Sequence, residues 1–238
     1  MRFWGLIIVA CLLASPVAAQ TLPDVLPEGS ELSSRAVQMI GLITVLSIVP
    51  GLAVTVTCFP FIVTVLSILR QAIGLQQAPP NMLMVSLALF LSWFVMDPVL
   101  TAAWSQGIGP FSRGEMTLTE AAPLAMEPFR GFMAARTDTE TFTTLQELRP
   151  GESGPAAGAP LSLLIPAFLL SEIQRAFEIG FLVFLPFLII DLVVAAVLMA
   201  MGMMMVPPAV VALPFKLAFF VVADGWALLS SALVRSYF

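Results

Sequence analysis

The sequence predicts an all-α membrane-type protein, built from long kinked helical hairpins with a small helical periplasmic domain between them. Of its 238 residues, 59% are hydrophobic and only 11% are charged, whereas a soluble domain is about 45–50% apolar and about 25% charged. Apolar segments longer than the roughly 20 residues that span a bilayer occur in both halves of the chain. Prolines and glycines interrupt these segments, which predicts helices that are kinked or broken.

Residues 1–19 are typical of a secretory signal peptide. Arg2 gives the positive start, an apolar run follows from Phe3 to Ala14, and Val17-Ala18-Ala19 supplies small residues at the cleavage point. We therefore predict that the mature chain begins at Gln20. The alternative is an uncleaved first membrane anchor. Residues 20–35 are polar, with scattered proline and glycine, and are expected to form an exported tail.

Residues 36–104 are predicted to form a first apolar helical hairpin. No charge occurs from Ala36 to Leu69, which would make about 50 Å of helix, so we expect breaks at Pro50-Gly51 and at Pro60. A polar turn at 70–81 leads to a second apolar arm. Residues 105–159 hold most of the charged residues, and two amphipathic helices, near 119–133 and 142–148, are expected there. This part is predicted to be a periplasmic helical domain that ends in a linker.

Residues 160–238 are predicted to form a second apolar hairpin, closed by the unusual loop "MGMMMVPP" at 201–208. Gly202, Pro207 and Pro208 are expected to shape this loop, since glycine and proline supply the backbone angles that turns need. Turns are usually polar, yet Met203, Met204 and Met205 fill this one. Either they pack a turn between two helices, or they form a deformable apolar seal.

Several ionisable residues lie inside this second hairpin, where an unpaired charge is costly. Lys216 is the only lysine of the chain. If the hairpin closes near Met204, Asp191 is a possible partner for Lys216 within one chain. Glu172 lies about 20 residues further along, roughly 30 Å away at helical rise, so a Glu172–Lys216 contact requires two staggered chains. That pairing would imply a ring or spiral homo-oligomer.

The remaining charges of the second hairpin form a stripe and one isolated group. Glu172, Arg175 and Glu178 are spaced by three residues and share one helical face. They mark either a helix end at the membrane surface or a polar stripe between subunits. Asp224 is the last charge predicted to be buried in this hairpin.

Composition excludes several classes of function. The chain has no histidine and two cysteines, Cys11 and Cys58, so neither a histidine-based catalytic site nor a zinc cluster is expected. No phosphate-binding glycine-rich motif and no nucleophile–base pair is recognisable. A net charge of −5 offers no basic surface for nucleic acid. We expect no enzyme activity, no cofactor and no metal.

Two long ordered blocks resemble a known family. They are "PFIVTVLSILRQAIGLQQAPPNMLMVSLALFLSWFVMDPV" at 60–99 and "LIPAFLLSEIQRAFEIGFLVFLPFLIIDLVVAAVLMAMGMMMVPPAVVALPFKLAFFVVADGW" at 164–226. With these blocks the chain resembles the FliP/SctR family of type III secretion export-gate proteins. The resemblance covers nearly the whole chain after the signal peptide.

The resemblance implies a core subunit of the flagellar export gate in the bacterial inner membrane, within the flagellar basal body. It implies a homo-oligomer, taken as a homopentamer, with FliQ and FliR, with FlhB associated, and with unfolded flagellar subunits as export substrates. It favours the intersubunit Glu172–Lys216 pair over Asp191–Lys216. It also favours a pore gasket formed by Met203, Met204 and Met205.

Two other functions remain as alternatives. One is the injectisome export-gate subunit of the SctR type, which the resemblance covers equally. The other is an ion-coupled secondary transporter that uses Asp191, Lys216 and Asp224 as a relay. The cleavable signal and exported tail favour the flagellar member over the injectisome member, and the absence of an internal repeat in the sequence argues against the transporter.

Overall fold

The computed structural model describes residues 54–74, 79–149, 154–203 and 205–238, together with the positions 37, 39–41, 43, 44, 47 and 51. The predicted signal peptide, the exported tail, parts of the first apolar arm, including Pro50 at one of its predicted breaks, and Met204 lie outside the described residues. The chain divides into two compact units, Met1–Ser47 and Ile48–Phe238. In the first unit, the described positions between 37 and 47 are helical.

The described part of the second unit contains helices and no strand. In chain order the elements are α1 (Phe59–Ile73), α2 (Asn81–Ala103), a π-helical turn (Trp104–Ile108), α3 (Gly109–Ser112), α4 (Leu118–Arg136), α5 (Thr139–Glu147), a 3₁₀ turn (Ala156–Gly158), α6 (Leu161–Ala200), α7 (Pro208–Val222) and α8 (Gly225–Arg235). The all-α prediction is therefore confirmed. The ring or spiral arrangement concerns several chains and stays a prediction.

Prolines act differently in the two hairpins. Pro60 lies in the first turn of α1, where proline costs no helical hydrogen bond, so the predicted break occurs there. Pro166 and Pro186 lie inside α6, which nevertheless runs unbroken for 40 residues. A break at either proline is therefore excluded, and a kink there stays a prediction. Each proline removes only one backbone donor from a helix of this length.

The return arm of the second hairpin is broken where α7 meets α8. The two helices are bent by 61°, and Asp224 adopts a left-handed conformation with φ 48° between them. Aspartate tolerates that region better than most residues because its short polar side chain can bond locally. The break is therefore a local property of residues 223–225, and beyond it α8 packs Leu229 and Leu233 into the main core.

Among the described residues, two helical stretches are long and apolar enough to cross a membrane. They are Asn81–Ser112, which joins α2 to α3, and Leu161–Ala200, which is α6. The bent pair of α7 and α8 makes a third if it counts as one span. With 40 residues, α6 is about 60 Å long, twice the roughly 30 Å of a hydrocarbon core. Part of α6 therefore extends beyond the hydrocarbon of any one bilayer that it crosses.

The largest core of the described chain surrounds α1. Its buried side chains recur every three or four residues, as the helical period requires; they are Phe61, Ile62, Val65, Leu66, Leu69, Ala72 and Ile73. They pack with Met84, Ala88, Val95 and Met96 of α2, Ala176 and Phe187 of α6, and Phe220, Leu229 and Leu233 of α7 and α8. A second cluster, which includes Met133 and Phe168, attaches the polar helix α4 to α6. These buried contacts thus join the helices of both hairpins and the charged segment to one another.

Helices α1 and α6 approach so closely at Gly180 that a side chain does not fit. A Cβ atom at Gly180 would lie 2.3 Å from Ile68 Cδ1 and 3.3 Å from Ile68 Cβ. We predict that Gly180→Ala destabilises the chain by about 1–3 kcal/mol, because overpacking forces backbone shifts. The measurement is unfolding in detergent, followed by helical circular dichroism.

Gly131, inside α4, supplies the matched control. Nothing lies within 4 Å of a Cβ placed there, so Gly131→Ala should stabilise the chain slightly, since alanine favours helix more than glycine. Equal effects of the two substitutions would contradict the close α1–α6 contact.

Candidate functional site: two charge clusters and a methionine loop

A buried ionic cluster joins α4, α6 and the residues after α8. Glu172 of α6 is fully buried, and its Oε1 accepts a hydrogen bond from Arg136 Nε of α4 at 3.0 Å. Its Oε2 accepts a hydrogen bond from the Tyr237 hydroxyl. Arg175 Nη1, one turn along α6, lies 3.9 Å from Glu172 Oε1. Both oxygens of this buried carboxylate are therefore satisfied within the chain.

Arg136 extends the same cluster to the backbone beyond α8. Its Nη1 donates to the Ser236 carbonyl at 2.7 Å, and its guanidinium carbon lies 4.1 Å from the centre of the Tyr237 ring. Its Nη2 is buried and has no hydrogen-bond partner. Two arginines thus face one carboxylate, and one guanidinium donor remains unsatisfied.

A second ionic contact lies nearer the tip of the second hairpin. Lys216 Nζ of α7 is 2.6 Å from Asp191 Oδ2 of α6 and donates to the Ala72 carbonyl, in the last turn of α1, at 2.9 Å. The Lys216 side chain is 9% exposed and that of Asp191 is 36% exposed. The ammonium both neutralises a carboxylate and caps the C-terminus of α1, where carbonyls lack helical partners and the helix dipole favours a cation.

Each of the two groups in the expected intersubunit pair is therefore engaged inside the single chain. Lys216 contacts Asp191, the partner that hairpin geometry alone allowed, and Glu172 contacts Arg136 and Tyr237. The Glu172–Lys216 contact concerns two chains and stays a prediction.

The expected stripe on α6 is only partly buried in the single chain. Glu172 is buried, Arg175 is half-buried, and Glu178 is exposed and accepts a hydrogen bond from Gln174 at 3.2 Å. Asp224 is also exposed. Burial of Glu178 and Asp224 therefore needs neighbours outside this chain, and remains a prediction about an assembly.

The methionine loop closes the hairpin between α6 and α7 with a helix-ending motif. Gly202 has φ 75°, its N–H bonds to the Met199 carbonyl at 3.0 Å, and the Met203 N–H bonds to the Leu198 carbonyl at 2.9 Å. This pair of bonds is the Schellman arrangement, in which glycine accepts the left-handed position without strain. The predicted roles of Pro207 and Pro208 agree with their positions, before and at the start of α7.

The two methionine side chains that the structure describes in this loop differ in their surroundings: Met205 is fully exposed, and Met203 lines the groove between α6 and α7. Met205 is 99% exposed and Met203 is 42% exposed; Met204 lies outside the described residues. Beside the loop, an apolar groove of about 510 Å³ runs between α6 and α7, lined by residues that include Val193, Val197 and Phe215. Met205 therefore does not pack the turn within this chain, and the choice between a packed turn and an apolar seal stays a prediction.

Arg136 and Tyr237 were missed by the sequence analysis. Arg136 looked like one of several charges of an exposed domain, and Tyr237 lies at the end of an apolar segment. Their contacts join positions 36 and 65 residues away from Glu172. The sequence held one signal. Glu172 lies in an apolar segment beside Arg175, and a buried carboxylate there needs a further partner.

No group of three or more metal-ligating side chains occurs in the part of the chain that the structure describes. The thiol of Cys58 is buried between α1 and α2, 3.8 Å from the Ser92 carbonyl, and burial raises its pKa to about 11. A thiol that stays protonated is a poor nucleophile and a poor metal ligand. Cys58 is therefore a core residue.

Comparison with known proteins gives consistent matches over most of the chain. The sequence model of the FliP family matches residues 42–233. The flagellar biosynthetic protein FliP of Caulobacter vibrioides is 47% identical over 232 residues, which cover 96% of this chain and 87% of that protein. FliP of Rhizobium meliloti is 44% identical, covering 100% of this chain and 99% of that protein. FliP of Bacillus subtilis is 42% identical, covering 86% of this chain and 93% of that protein.

Proposed function

The chain belongs to the FliP family, and from that premise we propose that it is a core subunit of the flagellar type III protein export gate. In this role it helps to form the channel through which unfolded flagellar subunits cross the inner membrane. The observation that carries the proposal is the match to flagellar FliP proteins along almost the whole chain. The match includes both hairpins, both charge clusters and the methionine loop.

The exposed surface of the second hairpin supports a role inside an assembly or a membrane. Large apolar side chains are exposed along both arms, among them Leu182, Leu192, Val193, Val210, Phe215 and Val222. A monomeric soluble protein rarely exposes an apolar patch of this extent. The hairpin therefore needs lipid or other subunits against it, as a gate subunit would have.

The methionine loop supports the gasket role that we propose for Met203, Met204 and Met205. A channel for unfolded chains must seal against ions and yet open for any sequence. Methionine is apolar, unbranched and easily repacked, and Met203 and Met205 project from the tip of the hairpin. Copies of this loop from several subunits would meet around one axis, and Gly202 would fix the point at which each loop leaves α6.

We propose a homopentamer that associates with FliQ- and FliR-type subunits and with FlhB, with the segment 105–159 on the periplasmic side. The family resemblance supports this arrangement. The Glu172–Lys216 pair between neighbouring subunits belongs to the same proposal. It requires Glu172 to exchange Arg136 and Tyr237 for Lys216 of a neighbouring subunit, and Lys216 to leave Asp191.

Copurification separates the gate from a transporter that works as a single chain. With an affinity tag on this chain, mild detergent extraction should recover FliQ- and FliR-type proteins in fixed ratios with several copies of the tagged chain. A matched membrane protein with the same tag should recover neither. Recovery of the tagged chain alone under conditions that preserve other flagellar complexes would count against the gate.

A further inference from the structure

The two residues after α8 make contacts that reach three other elements. The Tyr237 hydroxyl donates to Glu172 of α6, and the Ser236 carbonyl accepts from Arg136 of α4. The Tyr237 ring lies 5.5 Å from the ring of Phe61 in α1 and 6.1 Å from that of Phe132 in α4. A short segment thus connects the start of α1, the end of α4 and the middle of α6.

These contacts can open without unfolding the helix that carries them. Leu229 and Leu233 are buried in the main core and anchor α8 there. Tyr237 packs against the same core from beyond the end of α8, but it is only half-buried. Folded proteins open locally, and residues at fraying helix ends open at the lowest free energy. The cluster is also electrostatically unbalanced, because Arg136 and Arg175 face one carboxylate and Arg136 Nη2 has no partner.

We propose that Ser236 and Tyr237 form a releasable clasp, closed in this structure, that holds the α4–α5 segment against α6 and covers the Glu172 carboxylate. Release of the clasp would leave Glu172 with one of its oxygens free inside the protein and would loosen the end of α4. The clasp is a property of the single chain and does not depend on the proposed export function.

The surroundings of the Tyr237 hydroxyl explain why it suits this position as a donor. Burial, together with the neighbouring Glu172 carboxylate, raises the pKa of Tyr237 well above its usual range. The hydroxyl therefore stays protonated and donates to Glu172 at any physiological pH. Phenylalanine would keep the ring contacts and remove only this donor, so Tyr237→Phe isolates the bond between the hydroxyl and the carboxylate.

Hydrogen exchange of the backbone amides tests the clasp in the full chain in detergent. The amides from 137 to 142 report on the end of α4 and the start of α5; the Thr137 N–H bonds to the Met133 carbonyl and the Asp138 N–H bonds to the Ser171 hydroxyl. In Tyr237→Phe these amides should exchange about tenfold to hundredfold faster, the range for a lost hydrogen bond to a charged group. The amides from 120 to 126, at the other end of α4, should be unchanged.

Phe238→Ala is the matched control, because Phe238 is adjacent and largely exposed, and its exchange pattern should equal that of the parent chain. Once Glu172→Gln has removed the charge, adding Tyr237→Phe should accelerate exchange much less than it does in the parent, because the two residues act through one bond. Unchanged exchange at 137–142 in Tyr237→Phe would overturn the clasp. Three other results would overturn it as well. They are equally faster exchange at 120–126 in Tyr237→Phe, equally faster exchange at 137–142 in Phe238→Ala, and effects of Glu172→Gln and Tyr237→Phe on exchange that simply add in the double variant.

Discussion

Lys216→Ala is expected to lower the free energy of unfolding of the chain by about 1–3 kcal/mol, the cost of leaving buried acceptors without their donor; Asp191 is 36% exposed, so solvent screens part of the loss of the ion pair. The substitution leaves Asp191 without its cation, and Asp191 Oδ1 already has no partner. It also removes the donor to the Ala72 carbonyl at the end of α1. The loss should appear as an earlier transition when the purified chain is unfolded in detergent.

Arg113→Ala is the control for this experiment. Arg113 and Glu115 form an ion pair that is more than half exposed on both sides, and exposed pairs contribute little to stability. The unfolding transition of Arg113→Ala should therefore match that of the parent chain. If the unfolding transition of Lys216→Ala coincides with that of the parent chain, the stability of the hairpin does not depend on this contact.

Exchanging the charges identifies the partner of Lys216. Asp191→Lys combined with Lys216→Asp should recover much of the stability, because the pair is rebuilt with reversed charges inside one hairpin. Glu172→Lys combined with Lys216→Glu should not recover this stability, because it places a third cation beside Arg136 and Arg175. Those results concern the isolated chain. In the complex, where we propose that Glu172 meets Lys216 of a neighbouring subunit, the second exchange should recover part of the assembly that Lys216→Glu alone loses.

Replacing Met203, Met204 and Met205 together with alanine is expected to give a complex of normal yield that leaks ions. Met203 and Met205 are exposed in the single chain, so their truncation removes little of the burial that stabilises it; a fully buried methionine would contribute about 1.5–3 kcal/mol. Alanine is too small to fill the shared axis of a closed pore. The measurements are the yield of the purified complex and the conductance of membranes that contain it.

Met82→Ala combined with Met126→Ala is the control for the gasket. These methionines are exposed on α2 and α4, away from the loop, and their loss should change neither yield nor conductance. A low yield of the loop variant would mean that the methionines stabilise the assembly and do not seal it. A normal yield with a tight membrane would also count against the gasket.

The sequence predicted the parts of the fold that depend on local chemistry. The turn at 201–208 follows from Gly202 and the two prolines, and the amphipathic segments near 119–133 and 142–148 became α4 and α5 because their apolar residues follow the helical period. Asp191 was a possible partner of Lys216 because both positions are nearly equidistant from the turn.

Other features depend on tertiary contacts that no local pattern encodes. Prolines inside α6 suggested a break, yet α6 stays continuous, because each of the two prolines removes only one backbone donor from a 40-residue helix. The partners of Glu172 come from α4 and from beyond α8, and only the folded chain brings these segments together. The family resemblance suggested a partner in another chain and gave no indication of Arg136 or Tyr237.

Export of flagellar subunits tests the central claim most directly. In a flagellated bacterium whose own FliP gene has been deleted, unfolded flagellar subunits should be absent from the medium, and expression of this chain together with its cognate FliQ- and FliR-type partners should restore their secretion and the growth of filaments. Under the same conditions Lys216→Ala should restore little. Normal assembly of this chain with those partners and no recovery of secretion would contradict its role as an export-gate subunit.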